Sequence, residues 1–173
     1  GSFGNHDANA ADNGADDVPL MEVSGAPPQV GDALYIGNAA EFDRVSIEIT
    51  TAGVGVWAIT WEYGTSSGWS ALSNVVDNTD YFETAGLKVI SFDKPSDWAD
   101  RDINGVTQRW IRGRVSAFAS MVTQPKAGRI GIENKIGIQI DNSDSVENTL
   151  KPLIAPVFEA SKVEVIKELL DLT

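Results

Sequence analysis

Val54–Leu72, VGVWAITWEYGTSSGWSAL, carries three of the chain's five tryptophans in two apolar runs joined by Gly64-Thr65-Ser66-Ser67-Gly68. Trp57, Ile59, Trp61 and Tyr63 alternate with Val56, Ala58, Thr60 and Glu62, a period of two that puts one large aromatic face on a β-strand. The opposite face is smaller and also partly apolar, which suits a strand inside a two-layer sandwich better than one at a sheet edge. The length and glycines of the loop predict a hairpin that returns the chain at Trp69 and Leu72.

Strand patterns continue on both sides of this hairpin. Ala33–Ile36 is one, and Arg44–Thr50 is another, with Val45, Ile47 and Ile49 facing one way and Ser46, Glu48 and Thr50 the other. Val75–Thr79 reads as turn-rich, and Leu87–Phe92 is a strand entered from Gly86. Asp93–Gly105 reads as a polar loop with Trp98 as its apolar anchor. Gln108–Phe118 places Ile111, Val115 and Ala117 on a core face, with Trp110, Arg112 and Arg114 opposite. Ile130, Ile132, Ile136, Ile138 and Ile140 share one parity, interrupted at Asn134. They form either one long strand with a defect or two strands meeting there. The fold predicted is all-β: an antiparallel β-sandwich, jelly-roll-like, spanning residues 29–141.

The two ends differ from this middle. Residues 1–28 are Asp-, Asn-, Ala- and Gly-rich up to Val18 and meet Gly25-Ala26-Pro27-Pro28 before the first strand, the composition of a disordered acidic arm. Gly1-Ser2 has the form of a remnant of a cleaved expression tag. Residues 142–173 read as a linker followed by a short amphipathic helix. Pro152 and Pro156 hold the approach extended, Ser161 and Glu164 have capping-box spacing, and Val163, Ile166, Leu169 and Leu170 form an apolar stripe. A helix this short is marginal alone, so it is expected to dock on the sandwich or on another subunit.

Composition narrows the function classes. With 173 residues, 42% of them hydrophobic, the chain fills one domain without staples. The absence of cysteine excludes disulfides and thiol chemistry. A net charge of -12, from 25 acidic and 13 basic side chains, repels a phosphate backbone and gains nothing from anionic lipid, so neither nucleic acid nor membrane is expected as a partner. No apolar run approaches the ~20 residues that span a bilayer. His6, the only histidine, lies in the arm, which removes Ser-His and Cys-His nucleophiles and histidine-rich zinc sites.

Four constellations remain. Tyr63, Trp69 and Trp98, around the 64–68 loop, are the candidate glycan-stacking residues, set against a core role for the hairpin aromatics. Trp110, Arg112 and Arg114 are either a grip for a carboxylate or partner loop, or cross-strand partners of Glu48, Glu62 or other acids. Asp12–Asp17, Asp77–Asp80 and Asp141–Asp144 offer oxygen ligands without the spacing of a calcium loop, so solvated turns are preferred and no metal is assigned. Glu62 with Glu48 or Asp97 is the sole carboxylate pairing to weigh for glycoside hydrolysis. No catalytic residue and no cofactor is assigned, and the chain is expected not to be an enzyme.

The ordered string Trp61-Glu62-Tyr63, Trp69, Leu72, Asp77-Asn78-Thr79, Phe82, Gly86, Ile90-Ser91-Phe92, Pro95-Ser96-Asp97-Trp98 and Trp110-Ile111-Arg112-Gly113-Arg114 resembles a β-sandwich module of tailed-phage virion proteins, those of baseplates and tails. It covers roughly Tyr35–Phe118; Gly64 stands where that pattern has another aromatic, which removes part of a sugar platform. The resemblance implies a non-enzymatic structural protein of a phage or archaeal virus particle, in head decoration, tail or baseplate. Its implied partners are other virion proteins and host-surface glycan; the arm and the C-terminal helix lie outside the match, and Val163, Ile166 and Leu170 are expected from their own apolar pattern to attach the chain to neighbours or to copies of itself. A carbohydrate-binding module or adhesin is the alternative.

Overall fold

The computed structural model describes residues 18–21 and 27–134 in full, and the backbone of 138–139 and 151–152. The chain divides into two units, Gly1–Asn134 and Lys135–Thr173. In the second, β11 (Ile138–Gln139) pairs antiparallel with β12 (Lys151–Pro152). The predicted C-terminal helix and residues 1–17 of the arm lie outside the described residues.

The described residues of the first unit are all-β. Its strands are β1 (Val18–Pro19), β2 (Ala33–Asn38), β3 (Arg44–Thr51), β4 (Val54–Gly64), β5 (Trp69–Ala71), β6 (Val76–Asp77), β7 (Gly86–Ser91), β8 (Asp100–Ile103), β9 (Val106–Thr123) and β10 (Lys126–Glu133). They form two antiparallel sheets. Sheet A runs β1-β10-β3-β7-β6, and sheet B runs β2-β9-β4-β5, with β8 also pairing to β9.

The alternation that predicts the strands also selects what they bury. Val45, Ile47 and Ile49 of β3 and Ile90 of β7 turn inward from sheet A. From sheet B come Ile36, Trp57, Ile59, Trp61, Ile111 and Val115, all in one continuous core. Each such side chain removed from water contributes ~1.5–3 kcal/mol. Gly113 sits in the middle of β9 because Trp61 occupies the space: a Cβ there would lie 2.9 Å from Cη2 of the indole. Phe42, Phe92 and Trp98 close one end of the sandwich as edge-to-face neighbours, with ring centroids 5.0–6.2 Å apart.

Three features differ from the sequence expectations. Asp93–Gly105 is not all loop: β8 lies within it and forms a two-residue hairpin with β9 through Asn104 and Gly105, at φ 53° and 82°. Both central residues have positive φ, the condition that favours Asn-Gly at such a turn. Ala117 is exposed rather than part of the core, because the β4–β9 register slips between Ala58 and Ile59 and leaves Ser116 as an extra residue. The bulge reverses the inward parity, and Phe118 packs against the core instead. Finally, the folded unit includes residues before Gln29. Val18, Leu20 and Met21 are buried, with Val18 paired to Ala127 and Leu20 N–H donating to the Pro125 carbonyl.

Of the isoleucine-rich stretch, Ile136 and Ile140 lie outside the described residues. β10 ends at Glu133, and Ile138–Gln139 belong to a separate pairing.

Candidate functional site

The hairpin β4–β5 and the middle of β9 put two kinds of residue on opposite faces of sheet B. Trp57, Ile59 and Trp61 face the core; the residues between them, with those of β9 that alternate with Ile111, Gly113 and Val115, face outward. That outward face gathers Tyr35, Glu62, Trp69, Arg101, Trp110, Arg112 and Arg114.

Glu62 is its centre. Arg112 Nε donates to Glu62 Oε2 at 2.7 Å and Arg112 Nη2 lies 2.6 Å from the same oxygen, while Arg114 Nη2 reaches Oε1 at 3.1 Å. The three side chains are only 13%, 17% and 29% exposed. Burial alone would push the Glu62 carboxyl up, but hydrogen bonds from Arg114 and Arg112 and their positive charges outweigh it and hold the group below the ordinary carboxylate value. A carboxyl whose folded pKa lies below its unfolded one stabilises the fold above the unfolded pKa, ~4.3 for glutamate, and loses that contribution as pH falls through the folded value. Acidification from pH 6 to pH 3 is therefore expected to destabilise the wild-type chain more than Glu62→Gln, as measured by urea unfolding at each pH; equal losses would show that the pair does not titrate.

Arg112 also lies over the Trp69 ring at 4.3 Å from its centroid, Arg101 at 5.4 Å, and Tyr35 meets the same ring edge-on at 5.6 Å. A sugar stacking on Trp69 would have to compete with guanidinium groups already attracted to its π-face. Arg101 in turn closes the 64–68 loop, donating from Nη1 to the carbonyls of Thr65 at 2.8 Å and Gly68 at 3.2 Å.

The other candidates are distributed by the same logic. Tyr63 donates its hydroxyl to Asp97 Oδ1 at 2.8 Å, and that bond raises its pKa. Trp98 is 6% exposed and donates from Nε1 to the Trp110 carbonyl at 3.1 Å, so it leaves no ring face for a sugar. Trp110 donates to the Arg101 carbonyl at 3.0 Å. Of the trio, Arg112 and Arg114 pair across strands with Glu62, while Trp110 bonds backbone. Glu48 points outward from sheet A and Glu62 outward from sheet B, so these two carboxylates cannot converge on one glycosidic bond.

Asp77 is a strut rather than part of a loose acidic turn. Its Oδ2 accepts from Trp61 Nε1 at 2.9 Å, and its Oδ1 accepts from the Thr79 amide and hydroxyl at 2.8 and 2.6 Å. Thr79 then accepts from the Phe82 amide at 3.1 Å, and Phe82 meets the Trp61 ring edge-on at 6.1 Å. Three residues in the left-handed region, Asp80, Tyr81 and Phe82, are held by this circuit. Among the described residues, no group of three or more His, Cys, Asp or Glu side chains is placed to hold a metal. Asp12–Asp17, Asp141–Asp144, Val163, Ile166 and Leu170 lie outside the described residues.

Sequence reasoning missed Tyr35 and Arg101. Tyr35 carried a signal, since it alternates with buried Ile36 on β2. Arg101 carried none, because its loop partners are more than thirty residues away. No protein-family model, curated protein or solved structure matches this chain.

Proposed function

We propose that the chain is a non-enzymatic structural module of a virus particle, a jelly roll that acts by assembly and display in head decoration, tail or baseplate. The observation that carries this proposal is the mutual pairing of the residues in the phage-like string. Trp61 bonds Asp77, Glu62 bonds Arg112 and Arg114, Tyr63 bonds Asp97, Trp98 bonds the Trp110 backbone, and Arg112 covers Trp69. Residues spent on one another mark a scaffold, and a scaffold functions through what it is attached to. The order β1-β10-β3-β7 opposite β2-β9-β4-β5 supports the jelly roll, with early strands paired to late ones in nested fashion and successive strands β1 to β4 alternating between sheets. The partners are other virion proteins or further copies of the chain.

Light scattering on the whole chain and on a chain ending at Asn148 tests assembly. Larger species for the whole chain, reduced on truncation, are expected. A monomer whose size and stability ignore residues 149–173 would remove Val163, Ile166 and Leu170 as the attachment.

A further inference from the structure

β10 pairs with β3 from Lys126 to Glu133, and on its other side, among the described residues, β1 meets it at Lys126 and Ala127. A register irregularity falls between Ala127 and Arg129, next to the Val18 pairing. Among the described residues, Arg129–Glu133 have no strand partner on that side. A strand side without a described partner offers a template for a further strand.

The sequence of the edge is complementary to itself. Arg129-Ile130-Gly131-Ile132-Glu133, laid antiparallel against a second copy about a two-fold axis through Gly131, sets Arg129 opposite Glu133, Ile130 opposite Ile132, and Gly131 opposite Gly131. The parities agree as well. Ile130 and Ile132 pack against the core, while Arg129 and Glu133 are exposed, so residues brought opposite one another fall on the same face. The charge pattern also continues inward, since Arg129 is register partner of Glu48 and Glu133 of Arg44 on β3. Across the joined sheets the outer face would read Glu48, Arg129, Glu133, Arg44, alternating in sign. Opposite charges directly across a strand pair stabilise it, and like charges destabilise it.

We infer that Arg129–Glu133 is an interface between two copies of this chain, joined edge to edge into one continuous sheet A with two-fold symmetry. The inference deepens the assembly half of the proposed function and names its partner, and it rests on a part of the chain distinct from residues 149–173.

Sedimentation of the whole chain over a range of concentrations, with Arg129→Glu, Glu133→Arg and the double exchange, tests it. Each single change turns both symmetry-related attractions into repulsions and is expected to weaken dimerisation about tenfold or more. The double exchange renews the attractions across the two-fold, so association is expected to recover relative to either single change, short of wild type because Glu48 and Arg44 on β3 then face like charges. Amide exchange at Ile130–Ile132 is expected to slow with rising concentration in the wild-type chain and in the double exchange only. A monomer at every concentration, or an association that neither single exchange weakens, overturns the inference. So does a double exchange that fails to recover although circular dichroism shows it folded. If an association indifferent to the exchanges is lost on truncation at Asn148, the inference fails while assembly itself survives; if both sets of changes are silent, both fail.

Discussion

Trp61→Ala is expected to cost about 3–5 kcal/mol, much of the stability of a domain of this size. Trp61 is buried in the core, its ring meets Phe82 edge-on, and its Nε1 satisfies one oxygen of Asp77. Truncation opens a cavity on the core side of Gly113 and leaves the Asp77 carboxylate short of a donor, which loosens the left-handed turn at Asp80–Phe82. Trp61→Phe keeps most of the buried ring and loses the N–H, so a smaller loss of about 1–2 kcal/mol is expected. Urea unfolding followed by circular dichroism measures both. Val122→Thr, at an 82% exposed position, should stay within about 0.5 kcal/mol of wild type. Equal effects of the two Trp61 substitutions would mean that the indole volume does not organise the core.

Gly113→Val is the second large effect. A Cβ at this position would lie 2.9 and 3.0 Å from Trp61 and 3.2 Å from Ile59 Cγ2, closer than packed carbon atoms sit. Alanine needs a shift of the indole by a few tenths of an ångström, and overpacking of that degree costs about 1–3 kcal/mol. Valine adds two methyl groups in the same space, which requires separation of the sheets or loss of the β4–β9 pairing. Little soluble folded protein is expected for Gly113→Val, and a weakened but cooperative transition for Gly113→Ala. A Gly113→Val chain with wild-type unfolding would show that Trp61 does not lie over β9.

What was legible in the sequence is what local pattern encodes. Val45, Ile47 and Ile49, and Trp57, Ile59 and Trp61, declare their faces by alternation, and the structure buries those faces. The Asn104-Gly105 hairpin was read as part of a polar loop, because its short flanking runs, rich in charged and polar residues, gave no apolar strand signal. The extra residue at Ser116 was not legible, because a bulge is defined by the partner strand and Ala58 lies 58 positions away, where its carbonyl accepts from the Ser116 hydroxyl. The same distance problem hid Arg101 beside Trp69. It also left Glu48 and Glu62 as equal partners for the arginines until the sheets placed them on opposite faces. Val18-Pro19-Leu20-Met21 is the reverse case: four apolar residues in a polar neighbourhood marked a buried segment that composition averaged away.

The account turns on the claim that the tryptophans, acids and arginines of the central string hold one another. A double-mutant cycle of Glu62→Ala and Arg112→Ala, read by urea unfolding at pH 7, tests it most directly. The pair is short, sets two guanidinium nitrogens on one carboxylate oxygen and is only 13–17% exposed, so a coupling of at least about 1 kcal/mol is expected, above the usual range for surface pairs. Single effects that add to within about 0.3–0.5 kcal/mol would contradict the account, because Glu62 and Arg112 would then be present on that face for something other than each other.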